Sequence, residues 1–282
     1  MMQAMPTFSP LAPNIGVVAS GVDLAQPLDD AQKDALEQAL YRHGMILFRN
    51  VQLDEPQQLR LALRFGRISK LGAFFKQAPD IIYVSNDRED GILGEYELGY
   101  HADKFYWQYP LKSAMLYAIT VPAQGGETLF ANTSHVARTM DPALKARLAK
   151  LTVRHEFSYR IAYGSANAYV SSTKLAESDL DRIERADHPV IARHPWSDAE
   201  YITINTRSAK RILGVDEAES RAIIDEVNAL IDQPQNVYRH TWKTGDLIFW
   251  DNYLLQHART PFASSEKRTL RRCQIAHELE SA

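Results

Sequence analysis

The run Gly99-Tyr100-His101-Ala102-Asp103-Lys104-Phe105, together with the distant His257, limits what this chain can fold into more than any other feature. On an extended strand, residues i and i+2 project from one face. An imidazole and a carboxylate then stand side by side at His101 and Asp103, with Ala102 turned away. Two histidines and one carboxylate on one face of a metal ion leave its remaining positions open. The second histidine has to come from elsewhere, and Trp250-Asp251-Asn252-Tyr253-Leu254-Leu255-Gln256-His257 supplies one. Asp103 and His257 lie 154 positions apart (257 minus 103). Adjacent strands of a closed sheet bring such positions together. Taken alone, His-x-Asp also suits ordinary turn hydrogen bonds, and most of the nine histidines should be structural.

The hydrophobic pattern supports a β-rich chain. Asp29 opens an amphipathic helix through Tyr41, which Gly44 closes, and Asp54 opens a second helix to about Phe65. Short helices are expected near Thr133–Thr139 and Pro142–Ala149, and a longer one over Asp216–Ile231. Strands are expected within Ile15–Leu24 and at Met45–Phe48, Ile81–Val84, Ser113–Ile119 and Thr128–Phe130. More follow at Leu151–Phe157, Val190–His194, Tyr201–Ile204, Val237–Trp242, Asp246–Trp250 and Leu270–His277. Ser158–Ser178 is polar and tyrosine-rich without a clean period, so it reads as a long loop and a candidate active-site lid carrying Tyr159, Tyr163 and Tyr169. No repeat or linker interrupts residues 1–282, so one domain is expected: α+β but mainly β, with helices outside a barrel or double-sheet sandwich such as a jelly roll.

Composition excludes several classes of function. With 282 residues the chain can bury a large core, and its single cysteine, Cys273, forms no intrachain disulfide. A net charge of −3 argues against a nucleic-acid partner. Met1–Pro13 has neither the basic start nor the apolar run of a secretory signal, and no uncharged stretch is long enough to span a bilayer, so a cytoplasmic protein without a membrane partner is expected.

Arg268 lies eleven residues after His257, and its planar guanidinium suits a carboxylate. A 2-oxo acid that chelates a metal through its keto-acid end leaves a second carboxylate for Arg268, with the Thr128 hydroxyl as a further donor. Arg272 is an even number of positions beyond Arg268, so a strand returns it to the same face, where it can hold a substrate anion. Arg271 should face the other way, outward. Phe105 should share the face of Asp103 if that strand continues, and could pack on an apolar part of the substrate.

These segments resemble the TauD/TfdA family of Fe(II)- and 2-oxoglutarate-dependent dioxygenases. The resemblance rests on His101-Ala102-Asp103 with Pro110, Gly125-Gly126-Glu127-Thr128-Leu129-Phe130, Trp250-Asp251-Asn252 leading to His257, and Arg268 with Arg272. It covers about residues 15–277. It implies a double-stranded β-helix (jelly roll) core with helices packed outside. It also implies Fe(II) on His101, Asp103 and His257, and the distal carboxylate of 2-oxoglutarate on Thr128 and Arg268. Arg272 falls where relatives grip a substrate anion. The implied reaction is hydroxylation or desaturation of a small organic anion, consuming O2 and converting 2-oxoglutarate to succinate and CO2. Related folds commonly form homo-oligomers. Two departures stand out: the bulky run Lys104-Phe105-Tyr106-Trp107, and Glu97, whose carboxylate near the substrate position would repel a sulfonate and favour an amine or hydroxyl. A mononuclear zinc hydrolase using the same three ligands and a non-catalytic jelly-roll binding protein are the alternatives. The zinc reading leaves the Thr128/Arg268 pair without a purpose.

Overall fold

The computed structural model describes residues 4–69, 80–95, 97–158 and 181–280. Its first helix, α1 (Asp30–His43), begins where the Asp29 carboxylate accepts from the Gln32 main-chain N–H while the Gln32 side chain accepts from the Asp29 N–H, a reciprocal cap. It ends at Gly44, whose φ of +74° permits the left-handed turn into β3 (Met45–Phe48). A Cβ at that position would also lie 3.0 Å from Leu255. Asp54 and Gln57 repeat the cap for α2 (Glu55–Leu63), which stops two residues short of the expected Phe65.

Two sheets enclose the interior. Around β3, the larger sheet contains β1 (Thr7–Pro10), β2 (Val17–Ser20), β4 (Ile82–Ser85), β5 (Ile92–Leu93), β7 (Ser113–Thr120), β15 (Leu247–Asp251) and β17 (Thr269–Ile275). Its order is β1-β2-β3-β15-β7-β17-β4-β5. The smaller sheet joins β14 (Val237–His240), β8 (Thr128–Asn132), β16 (Leu255–Arg259) and β6 (Leu98–His101) in that order. Together they form the jelly-roll core.

Period-2 alternation decides which side chains meet. Ile46, Phe48, Met115, Tyr117, Leu247 and Phe249 turn outward beneath Leu36 and Leu40 of α1 and Leu61 of α2. Met45, Leu47, Leu116, Ile248, Trp250 and Leu270 turn inward against Phe130 and Leu255 of the smaller sheet. A third cluster joins α3 (Thr133–Thr139), α4 (Pro142–Leu148) and α5 (Glu217–Ile231) to β11 (Ile191–Arg193) and β12 (Glu200–Ile202). β9 (Thr152–Ser158) pairs with β10 (Ile183–Pro189) and β13 (Ala209–Ile212) in a separate sheet. β10 was not expected from the sequence, because in IERADHP only Ala186 and His188 are buried and no apolar period marks it. The candidate lid lies outside the described residues, apart from Ser158 at the end of β9.

Arg271 needs a correction. It does face away from Arg272, but it is 5% exposed rather than solvated. Its guanidinium donates to Gln58 Oε1 (2.6 Å) and to the carbonyls of Leu53 (2.6 Å) and Asp54 (3.0 Å), tying β17 to the start of α2. No helix among the described residues is long and apolar enough to cross a membrane.

The outward cluster sets one expectation. Phe249 is 1% exposed, and its ring lies 4.7 Å from that of Phe65, so Phe249→Ala should cost about 3–5 kcal/mol of stability. Leu63 in α2 is 53% exposed, and Leu63→Ala should stay within about 0.5 kcal/mol. Denaturant midpoints of both variants measure the contrast.

Candidate active site

Antiparallel pairing sets His257 of β16 directly opposite His101 of β6, with the two ring centroids 4.2 Å apart. Across its other edge, β16 places His257 opposite Phe130 and Arg259 opposite Thr128 of β8. β6 ends at His101, and the chain turns through Asp103 and Lys104, whose φ is +61°. The expected strand alternation therefore does not carry Asp103 to the face of His101.

The turn does so because Asn252 grips it. Asn252 Oδ1 accepts from the Asp103 N–H (2.7 Å), and its Nδ2 donates to the carbonyls of Asp103 (2.9 Å) and Leu111 (2.9 Å). The preceding Asp251 holds the β15–β16 connection by accepting from the N–H groups of Tyr253 and Leu254, both at 2.9 Å. His194 Nε2 lies 2.9 Å from the other oxygen of Asp251.

Ligand atoms of His101, Asp103 and His257 all fall within 4.8 Å of one another. His101 Nδ1 donates to the Gly99 carbonyl at 2.8 Å, which leaves Nε2 with its lone pair. That nitrogen is 3.8 Å from Asp103 Oδ1, too far for a hydrogen bond. Asp103 Oδ2 accepts from Gln274 Nε2 at 2.8 Å, and Arg272 Nη1 lies 3.8 Å from it.

Burial, reinforced by His257 and Arg207, pushes His101 well below the usual imidazole range. Burial also takes His257 down to about 4, against the pull of Asp103. For Asp103, burial acts upward, but His257, Arg272, His101 and the Gln274 amide together hold the carboxyl well below its ordinary value. Two neutral imidazoles and an ionised carboxylate are the protonation states a divalent ion requires. With His101 Nε2 and Asp103 Oδ1 turned toward each other at 3.8 Å and not hydrogen-bonded to one another, these residues fit such an ion.

A second cluster adjoins the first. Arg268, just before β17, is 2% exposed, and its Nε donates to the Gly126 carbonyl at 3.1 Å. Its Nη1 is buried without a partner among the described residues. Burial and the neighbouring Arg259 push this guanidinium well below its ordinary value, so a carboxylate here would relieve a real electrostatic cost. Gly125 and Gly126 shape the seat. Their φ values are +75° and +68°, and a Cβ would lie 2.5 Å from the Pro261 carbonyl oxygen at Gly125 and 3.1 Å from Arg268 Cδ at Gly126. Thr128 is buried, and its Oγ1 accepts from Trp242 Nε1 at 3.0 Å.

The residues expected to meet substrate are placed differently from one another. Arg272 is buried beside Asp103, with its Nε lacking a partner among the described residues. Glu97 is exposed just ahead of β6. Phe105 does not share a strand face with Asp103, because the chain has turned; it is 1% exposed and packs against Tyr201, Tyr253, His155 and His188. Lys104, also buried, has its Nζ 4.4 Å from the Trp107 ring centroid, and burial takes its ammonium down to about 8.

Sequence reasoning gave no role to Asn252, Gln274 or Trp242. Gln274 was reachable, since it lies two positions beyond Arg272 on a strand whose inner face was already assigned. Asn252 and Trp242 act through contacts to residues more than 100 positions away.

Comparison with known proteins places this geometry among relatives. A model of the family described as taurine catabolism dioxygenase TauD, TfdA family, matches residues 7–274. The (S)-phenoxypropionate/alpha-ketoglutarate-dioxygenase of Sphingobium herbicidovorans is 32% identical over 277 residues, covering 95% of this chain and 94% of that protein. The alpha-ketoglutarate-dependent sulfate ester dioxygenase of Pseudomonas putida is 29% identical over 279 residues, covering 96% of this chain and 89% of that protein. The crystal structure of AAD-2 in complex with Mn(II) and N-oxalylglycine has the same fold, with a TM-score of 0.80 at 23% identity over 96% of this chain and 97% of that one.

Asn252→Ala removes three buried hydrogen bonds at once. It should cost about 2–4 kcal/mol of stability in chemical denaturation, because the Asp103 N–H and two carbonyls lose their partner.

Proposed function

The chain belongs to the TauD/TfdA family, and from that premise we propose which of its residues carry the family's chemistry. The protein is an Fe(II)- and 2-oxoglutarate-dependent dioxygenase, so the zinc-hydrolase and non-catalytic readings fall away. Our reading assigns the iron to His101, Asp103 and His257, and the distal carboxylate of 2-oxoglutarate to Arg268 and Thr128. Two unmet demands carry it: an imidazole and a carboxylate 3.8 Å apart with no hydrogen bond between them, and a buried Arg268 nitrogen without an acceptor among the described residues.

When bound, the iron activates O2 and supplies the oxidation that is coupled to conversion of 2-oxoglutarate into succinate and CO2. The chain's own residues orient the partners. Asn252 holds the Asp103 main chain, and the Gly99 carbonyl fixes the His101 tautomer. Arg268 offers its Nη1 to the cosubstrate, with its Nε steadied by the Gly126 carbonyl. Trp242 donates to Thr128 Oγ1, leaving the hydroxyl proton for a carboxylate.

The primary substrate in this reading is a small organic anion, oxidised by hydroxylation or desaturation. Relatives whose names specify phenoxypropionate or a sulfate ester support the class. Arg272 is the proposed anion contact, with Glu97 and Phe105 as further candidates. Residues 1–282 act as one catalytic domain, and 158–178 as its lid.

Anaerobic addition of Fe(II) and 2-oxoglutarate should produce a weak visible charge-transfer band. His257→Ala should abolish it, and an unchanged band in Asp103→Ala would defeat the ligand assignment. Arg268→Ala should weaken 2-oxoglutarate at least tenfold, as expected for loss of a charge-assisted contact. Gly126→Ala should weaken 2-oxoglutarate while sparing metal affinity, since the added methyl presses on Arg268 Cδ at 3.1 Å. Titration of each variant with 2-oxoglutarate reads both effects. Succinate release across carboxylates, sulfonates and sulfate esters identifies the substrate class.

A further inference from the structure

We propose that Gln274 is a positioning residue that sets the rotation of the Asp103 carboxylate, and so decides which of its oxygens is presented to the metal. This rests on the reading of Asp103 as a ligand. Asn252 fixes only the main chain of Asp103, leaving the side-chain torsions to other contacts. Those contacts come from β17. Arg272 and Gln274 stand two positions apart on its inner face, and both approach Asp103 Oδ2, at 3.8 and 2.8 Å. With Oδ2 engaged, Oδ1 is the oxygen turned toward His101 Nε2.

The amide can serve in only one orientation. An ionised carboxylate only accepts, so Gln274 must turn its N–H2 to Asp103; exchanging N and O would set two acceptors 2.8 Å apart. Gln274 is 3% exposed, and its Oε1 has no partner among the described residues. A buried amide with one end unmet is unfavourable for the strand on its own account. The contact it does make is to the one carboxylate of the proposed triad. Arg272 stands farther away, at 3.8 Å and beyond hydrogen-bond reach; Gln274 aims the carboxylate. Partners that orient a ligand in this way typically affect metal affinity by about 10–100-fold.

Co(II) binding to the full chain, read anaerobically by its visible absorption and without 2-oxoglutarate, separates this role from general packing. Gln274→Leu keeps the volume and removes the donor. It should weaken Co(II) by about tenfold or more and alter the cobalt band, as expected when one carboxylate rotates. Gln274→Asn retains the amide one methylene short and should also weaken the ion, which keeps the test open if the Leu variant fails to fold. Cys273→Ala changes the adjacent buried residue on the opposite face, and should leave cobalt affinity within about twofold even if its melting temperature falls. Wild-type cobalt affinity and spectrum in Gln274→Leu or Gln274→Asn would overturn the proposal, as would an equal loss in Cys273→Ala. His257→Ala guards the premise: if it bound Co(II) like the wild type, the ligand assignment itself would fail, whatever Gln274 did.

Discussion

A slip of β16 by one residue against β6 would turn His257 out of the interior and put Gln256 or Ala258 in its place. Everything at the site depends on that register. The same strand sets Leu255 into the inner core and Arg259 opposite Thr128, so the alignment that faces the two histidines also builds the neighbouring cation pocket. Burial on both sides of β16 specifies the register. Leu255 fits between the sheets, while Gln256 faces the other way and donates to the Ile204 carbonyl.

The site concentrates buried charge. Arg272 and Lys104 are buried near the Asp103 carboxylate, and Arg268 is buried beside Arg259. Such an arrangement costs stability unless ligands complete it. The surrounding structure offsets that cost locally. Carbonyls accept from Arg268 and His101, the Asn252 side chain closes the Asp103 turn, and Gly126 leaves room for the arginine where a Cβ would press on its Cδ. Pre-organisation of this kind leaves the reacting groups poised while the large apolar clusters on either side of the main sheet carry the stability.

Legibility in the sequence followed the range of the interaction. The caps at Asp29, Asp54 and Asp216 and the αL stop at Gly44 are local, and the helices begin where those residues said they would. Arg271 and Arg272 fall on opposite faces as strand alternation requires. That Arg271 is nonetheless buried depends on α2 lying over that face, which no property of β17 reveals. Likewise the turn after His101 violates the simple i, i+2 argument, and Asp103 reaches its place by a contact from residue 252.

The amino-acid order alone determined where the capped helices begin, which residues share a face on strands with a clear alternation such as β17, and which donors were available, because periodicity and capping are short-range properties of the chain. Only the tertiary structure decided that His101, Asp103 and His257 share a space of 4.8 Å, that Gln274 addresses one carboxylate oxygen, and that Arg268 Nη1 is buried without an acceptor among the described residues. Distances between residues far apart in sequence are set by sheet register and by the packing of both cores at once, and no local segment encodes them.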